Sequence, residues 1–146
     1  MTESDITRVK PFVSSQLLEG DRSPNKILLI SRSDDTSDSL RQVASEVSPF
    51  TTATFSKPNY LEIIAPGVNK ARSLALLAER LGCDMSATAA IGDGLNDVEM
   101  IEASAFGIAM GNAQAEVKSA ADWVTSSNDE AGVATAIQEL SRRRLI

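Results

Sequence analysis

A chain of 146 residues is long enough for one compact domain or two small units with modest cores. Its 42% hydrophobic and 23% charged content is that of a globular protein and excludes disorder along the whole length. The net charge is -6, and the one basic cluster is the short run Arg142-Arg143-Arg144, which disfavours a nucleic-acid or anionic-membrane surface but leaves room for a local phosphate site.

Residues 1 to about 24 are interrupted by Pro11, Gly20 and Pro24, and predict a poorly ordered lead with one short helix around Ser14–Glu19. The aliphatic run Ile27-Leu28-Leu29-Ile30 predicts a buried strand. Leu40, Val43, Ala44 and Val47 recur at helical spacing, with Ser37 or Asp38 as N-cap and Pro49 as stop. Thr51–Phe55 and Tyr60–Ile64 predict two strands separated by the turn Lys57-Pro58-Asn59, which completes a small α/β unit over residues 26–64.

Pro66-Gly67 marks a break. Asn69 then caps a helix whose apolar face is Leu74, Leu77, Ala78 and Leu81, ended by Gly82. A strand over Ala87–Ile91 runs into Gly92-Asp93-Gly94 and a helix containing Val98, Ile101 and Glu102. Phe106–Ala109 predicts a strand stopped by Gly111-Asn112, Ala115–Ala121 a helix, Trp123–Thr125 a strand and Gly132–Leu140 a last helix. This alternation is the pattern of a parallel sheet with flanking helices. Trp123, Phe106, Met100 and Met110 sit in apolar periodic contexts and read as core; Phe55 and Tyr60 read the same way within their strands.

Histidine is absent, which removes Ser-His-Asp and Cys-His catalysis and histidine-based zinc sites. Cys83 is the single cysteine, so an intramolecular disulfide is ruled out. No basic segment followed by an apolar stretch follows Met1, and the apolar runs are too short to span a bilayer, so the expectation is a soluble cytoplasmic protein.

Chemistry concentrates in Gly92-Asp93-Gly94-Leu95-Asn96-Asp97, at the carboxyl end of a predicted parallel strand, where open α/β sheets place ligands. Asp93 offers a hard carboxylate suited to Mg²⁺, and Asn96 and Asp97, within one turn, are placed to contact phosphate oxygens or orient the metal's surroundings. The competing reading is a tight strand-to-helix turn with capping Asp and Asn. Lys70 on its own reads as a solvated lysine near a helix start.

The stretch Ile91–Met100, IGDGLNDVEM, resembles the fourth conserved motif of haloacid dehalogenase (HAD) phosphatases, particularly their Cof-type branch. Gly67-Val68-Asn69-Lys70 looks like the third motif, and the stretches 107–113 and 121–133 resemble the branch's C-terminal run. The resemblance covers about residues 26 to 140. It implies Asp93 as a Mg²⁺ ligand, Asp97 as support for the metal and the lysine, Asn96 near the phosphate, and Lys70 neutralising phosphate and nucleophile. The family's opening signature, a strand followed at once by Asp-x-Asp, has no counterpart: Ile30 is followed by Ser31-Arg32-Ser33, and Asp34 and Asp35 come too late and read as loop residues.

The resemblance therefore implies an α/β chain in two parts, a lead and partial α/β cap over 1–65 and the C-terminal part of a HAD-like Rossmannoid core over 66–146. The implied activity is Mg²⁺-dependent hydrolysis of a small phosphorylated metabolite in the complete enzyme, with this chain inactive or nearly so by itself and its Mg²⁺ binding weak. Expected partners exclude nucleic acid and membrane. They include a second copy or another chain at the uncharged Ala87–Ile91 edge, and the rival reading is a non-catalytic associating module. The phosphorylation domain of a P-type ATPase is remote, because Asp-Lys-Thr-Gly is absent.

Overall fold

The computed structural model describes residues 13–16, 19, 23–31 and 37–146. Two three-stranded sheets organise them, one antiparallel and one parallel. The expected helix around Ser14–Glu19 falls partly, and Asp34 and Asp35 wholly, outside the described residues.

The first sheet comprises β1 (Lys26–Ile30), β2 (Thr52–Lys57) and β3 (Tyr60–Ile64), in the order β1-β3-β2 with antiparallel pairing throughout. Helix α1 (Ser37–Val47) packs on β2 and β3, and Leu40 of the helix and Leu61 of β3 are buried. The hairpin turn is tied to β1 in both directions, because Ser31 N–H donates to the Asn59 carbonyl and the Asn59 side-chain amide donates to the Ser31 carbonyl, at 3.0 and 3.2 Å. Strand β2 begins one residue later and ends two residues later than the sequence predicts. A bulge between Phe55 and Lys57 absorbs the extra length.

Helix α2 (Lys70–Arg80) starts where Asn69 Oδ1 accepts the Arg72 N–H at 2.7 Å, as the capping chemistry predicts. It is followed by a 3₁₀ turn over Met85–Ala87, so the strand expected at Ala87–Ile91 is β4 (Ala89–Gly92). Asp84 caps that turn by accepting the Ser86 N–H, and this bond holds its carboxyl below the ordinary value. A second 3₁₀ turn (Leu95–Asp97) leads into α3 (Val98–Ala103). Then come β5 (Phe106–Ala109), α4 (Ala115–Ala120), β6 (Trp123–Val124) and α5 (Gly132–Arg142).

The parallel sheet runs β4-β5-β6, and adjacent residues of β5 point to opposite faces, as a pleat requires. Ala109 joins Ile101, Met110, Ala113 and Val117 on one side; Ile108 joins Ala136 and Leu140 on the other, with Phe106 and Trp123 packed alongside. The expected core roles of Met110, Phe106 and Trp123 hold.

The apolar stripe expected on α2 is present but largely uncovered. Ala78 is buried, but Leu77 is 53% and Leu81 73% exposed, and β4 is an edge of the parallel sheet among the described residues. No helix among the described residues is long and apolar enough to cross a membrane.

Candidate functional site

The loop after β4 turns on close backbone approach. A Cβ at Gly92 would lie 2.4 Å from the Asp97 Cβ, so any larger residue there would displace Asp97. A Cβ at Gly94 would lie 3.4 Å from the Ser56 carbonyl oxygen, which shows how near the loop runs to β2. The loop thus returns Asp97 beneath Asp93 at the carboxyl end of β4, where the parallel topology places a site.

Asp97 is 5% exposed and its acceptor capacity is committed. Its Oδ2 accepts the N–H groups of Asp93 and Gly94, each at 3.0 Å, and its Oδ1 accepts the Lys70 ammonium. Lys70 is the first residue of α2, and its ammonium also lies 3.4 Å from Asn96 Oδ1. The start of α2 is fastened to α3 by Asn69 Nδ2 donating to Glu99 at 2.6 Å. Asp93 is exposed, and its Oδ2 accepts from Asn112 Nδ2 at 3.2 Å. Asn112 is held in turn by accepting the Asn128 N–H at 2.9 Å.

The structure thus brings together all four residues singled out in the sequence, Lys70, Asp93, Asn96 and Asp97, around one cavity of about 350 Å³. Asp97 ties down the turn's backbone, as the capping reading expects, and also binds the Lys70 ammonium. Asn112 and Gln114 line the same cavity and were not singled out; their position just after β5, the next parallel strand, was the available signal. Ser56 and Lys57 line it from the antiparallel sheet, a contact that local sequence pattern does not encode.

Mg²⁺ requires near-octahedral oxygen coordination. Asp93 is the one site carboxylate whose oxygens are not already committed to the backbone and lysine, and no group of three or more His, Cys, Asp or Glu able to hold a metal occurs among the described residues. These residues suit one corner of a hydrated Mg²⁺ ion and do not by themselves form a closed site.

The model of the haloacid dehalogenase-like hydrolase family matches residues 2–137, and the chain belongs to this family. A 5-amino-6-(5-phospho-D-ribitylamino)uracil phosphatase of Bacillus subtilis, YcsE, is 49% identical over 85 residues, which are 58% of this chain and 34% of that protein. A haloacid dehalogenase-like hydrolase from Bacteroides thetaiotaomicron superposes with a TM-score of 0.74 at 36% identity, covering 94% of this chain and 52% of that one. Another, from B. subtilis, gives 0.77 at 35% identity over 87% of this chain and 45% of its own. The chain therefore spans about a third of that phosphatase and about half of each of these structures.

Proposed function

We propose that this chain supplies the lysine-and-aspartate half of a phosphatase site for a small phosphorylated metabolite. The observation that carries the reading is the Lys70 ammonium, held by buried Asp97 at the mouth of the cavity that also contains exposed Asp93 and Asn96. A fixed cation beside a phosphate stabilises the charge that phosphoryl transfer develops, and fixing it beforehand avoids reorganisation during reaction. In this reading Lys70 neutralises phosphate, Asn96 donates its side-chain amide to a phosphate oxygen, and Asp97 positions both the lysine and the loop. Asp93 contributes one ligand to Mg²⁺, which supplies further charge neutralisation when bound.

The sequence contains no Asp-x-Asp, so the nucleophile and the remaining metal ligands would come from polypeptide outside these 146 residues. On this reading residues 1–65 belong to a cap and 66–146 to the catalytic core. The uncovered leucines of α2 favour a second role, association with another polypeptide.

Titration of the chain with inorganic phosphate, followed by amide NMR, tests the site. Saturable shifts at Asp93–Asp97 that vanish in Lys70→Gln are expected. A wild-type chain that shows no saturable shift there overturns the reading.

A further inference from the structure

The cavity beside Asp93 has a second wall, and the bulge in β2 builds it. Thr52 and Thr54 pair with Ile64 and Glu62, and these four residues line a cavity shared with Lys70 and Asn96, so this face of the antiparallel sheet looks toward the loop after β4. Phe55 pairs with the fully buried Leu61 and so lies on the opposite face, toward α1. In a regular strand Lys57 would follow Phe55 to that face, because side chains alternate. The register instead steps from Phe55↔Leu61 to Lys57↔Tyr60, with Ser56 as the extra residue. Tyr60 shares the face of Glu62, so the bulge turns Lys57 back toward the site, and both Ser56 and Lys57 line the cavity of Asp93, Asn96 and Asp97.

The charges on that cavity assign Lys57 a task. Four formal charges line it, from Lys57, Lys70, Asp93 and Asp97. Lys70 shares its charge with Asp97 in their ion pair. The Lys57 ammonium sits 4.8 Å from the centre of the Tyr60 ring and has no carboxylate partner among the described residues. A phosphate dianion entering beside Asp93 meets like charge there and gains from a cation beyond Lys70, whose charge is shared with Asp97. Lys57 is that cation, and its ammonium is steadied over the Tyr60 ring.

We propose that Lys57 is a second phosphate-binding residue, which meets the anion from the hairpin so that a phosphorylated ligand bridges the antiparallel and parallel sheets. The inference rests on the proposed phosphate site at Lys70, Asn96 and Asp93. Lys57 also sets selectivity in that site, because ligands with greater negative charge gain most from a cation not shared with a carboxylate.

Inorganic phosphate titrated into the 146-residue chain, with Lys57→Gln, Lys57→Arg and Lys70→Gln in parallel, tests it by amide NMR. Lys57→Gln is expected to weaken binding about tenfold, the size of one charge-assisted contact. Lys57→Arg should stay near wild type, and thermal midpoints should match. Phosphate should also shift the amides of residues 57–60. If Lys57→Gln binds as wild type does while Lys70→Gln has lost binding, Lys57 plays no part and the phosphate site stands. Equal weakening in Lys57→Arg would mean that shape rather than charge matters, and also overturns the proposal. If wild type itself does not bind, the phosphate site falls and this inference falls with it.

Discussion

Asp97 divides its carboxylate between a side chain and the backbone: Oδ1 takes the Lys70 ammonium, while Oδ2 takes the N–H groups of Asp93 and Gly94 at 3.0 Å each. Lys70 is the first residue of α2, where a cation opposes the helix dipole. A lysine in that place detracts from the helix, and the buried carboxylate offsets the loss by fixing the ammonium over the cavity.

Replacing Asp97 by Asn tests how far this one carboxylate holds the loop. The amide keeps the shape but presents donors to a site where three donors already converge, so one contact is lost outright. The Lys70 side chain is 48% exposed, which puts the cost at the lower range for a broken buried pair, about 1–3 kcal/mol. Urea unfolding should show that loss, and the Asp93 and Gly94 amides should move in NMR spectra. Unchanged stability with unmoved amides would mean the turn is held by other contacts.

The purified chain is expected to show no Mg²⁺-dependent turnover of aryl or sugar phosphates, because no Asp-x-Asp is present to form a phospho-enzyme. Its Mg²⁺ affinity should be millimolar rather than micromolar, since Asp93 offers one carboxylate and Asp97 is committed elsewhere. Calorimetry checks the second statement and a phosphate-release assay the first. Turnover abolished by Asp93→Ala, or micromolar binding, would show that the chain holds a complete site.

Near the C-terminus, Glu139 accepts from Arg142 at 2.7 and 2.6 Å and from Arg143 at 2.7 Å, and Arg143 lies over the rings of Phe106 and Trp123 at 5.0 and 5.9 Å. The bonds from Arg142, then Arg143, lower the Glu139 carboxyl from 4.5 to about 2. A depressed folded value means the unfolded chain takes up this proton first as pH falls. The stabilisation is therefore whole above pH 4.5 and is lost toward about pH 2. Thermal midpoints of wild type should fall more steeply than those of Glu139→Gln across that window. Parallel curves would show that these contacts add nothing on folding.

Much of this was legible in local pattern. Asn69 announced a helix start, the glycines at 92 and 94 announced a turn, and Lys70 and Asp97 acquired roles from the motifs around them. What stayed hidden depends on contacts between distant segments. Lys57 read as a turn residue because a bulge at Ser56 leaves no mark in hydrophobic alternation, and the bulge decides which face the lysine takes. Leu77 and Leu81 read as part of an apolar helix face, and periodicity reports that such a face exists, not whether anything covers it.

That uncovered face yields the last prediction. Strand β4 pairs with β5 on one side and, among the described residues, has no strand on the other. Ala89-Ala90-Ile91-Gly92 carries no charge and no proline to block pairing. Leu77 and Leu81 of α2 are exposed nearby in the fold's parallel half, as are Val133 and Ile137 of α5 at 49% and 50%. A cavity of about 510 Å³ along β4 is lined from α2 by Lys70 and from α5 by Val133, so the open edge and the two helices share one concavity. An uncharged strand edge flanked by apolar side chains is a surface that a second copy can satisfy, most simply by antiparallel β4–β4 pairing about a two-fold axis. We expect the chain by itself to dimerise as concentration rises. Light scattering across a dilution series would register the change in mass, and Ala89→Lys, which puts a charge on the exposed end of the edge strand, should suppress it. A particle that stays monomeric at every concentration, with the Ala89–Ile91 amides already protected from exchange, would show that the edge is satisfied within one chain and end the proposal.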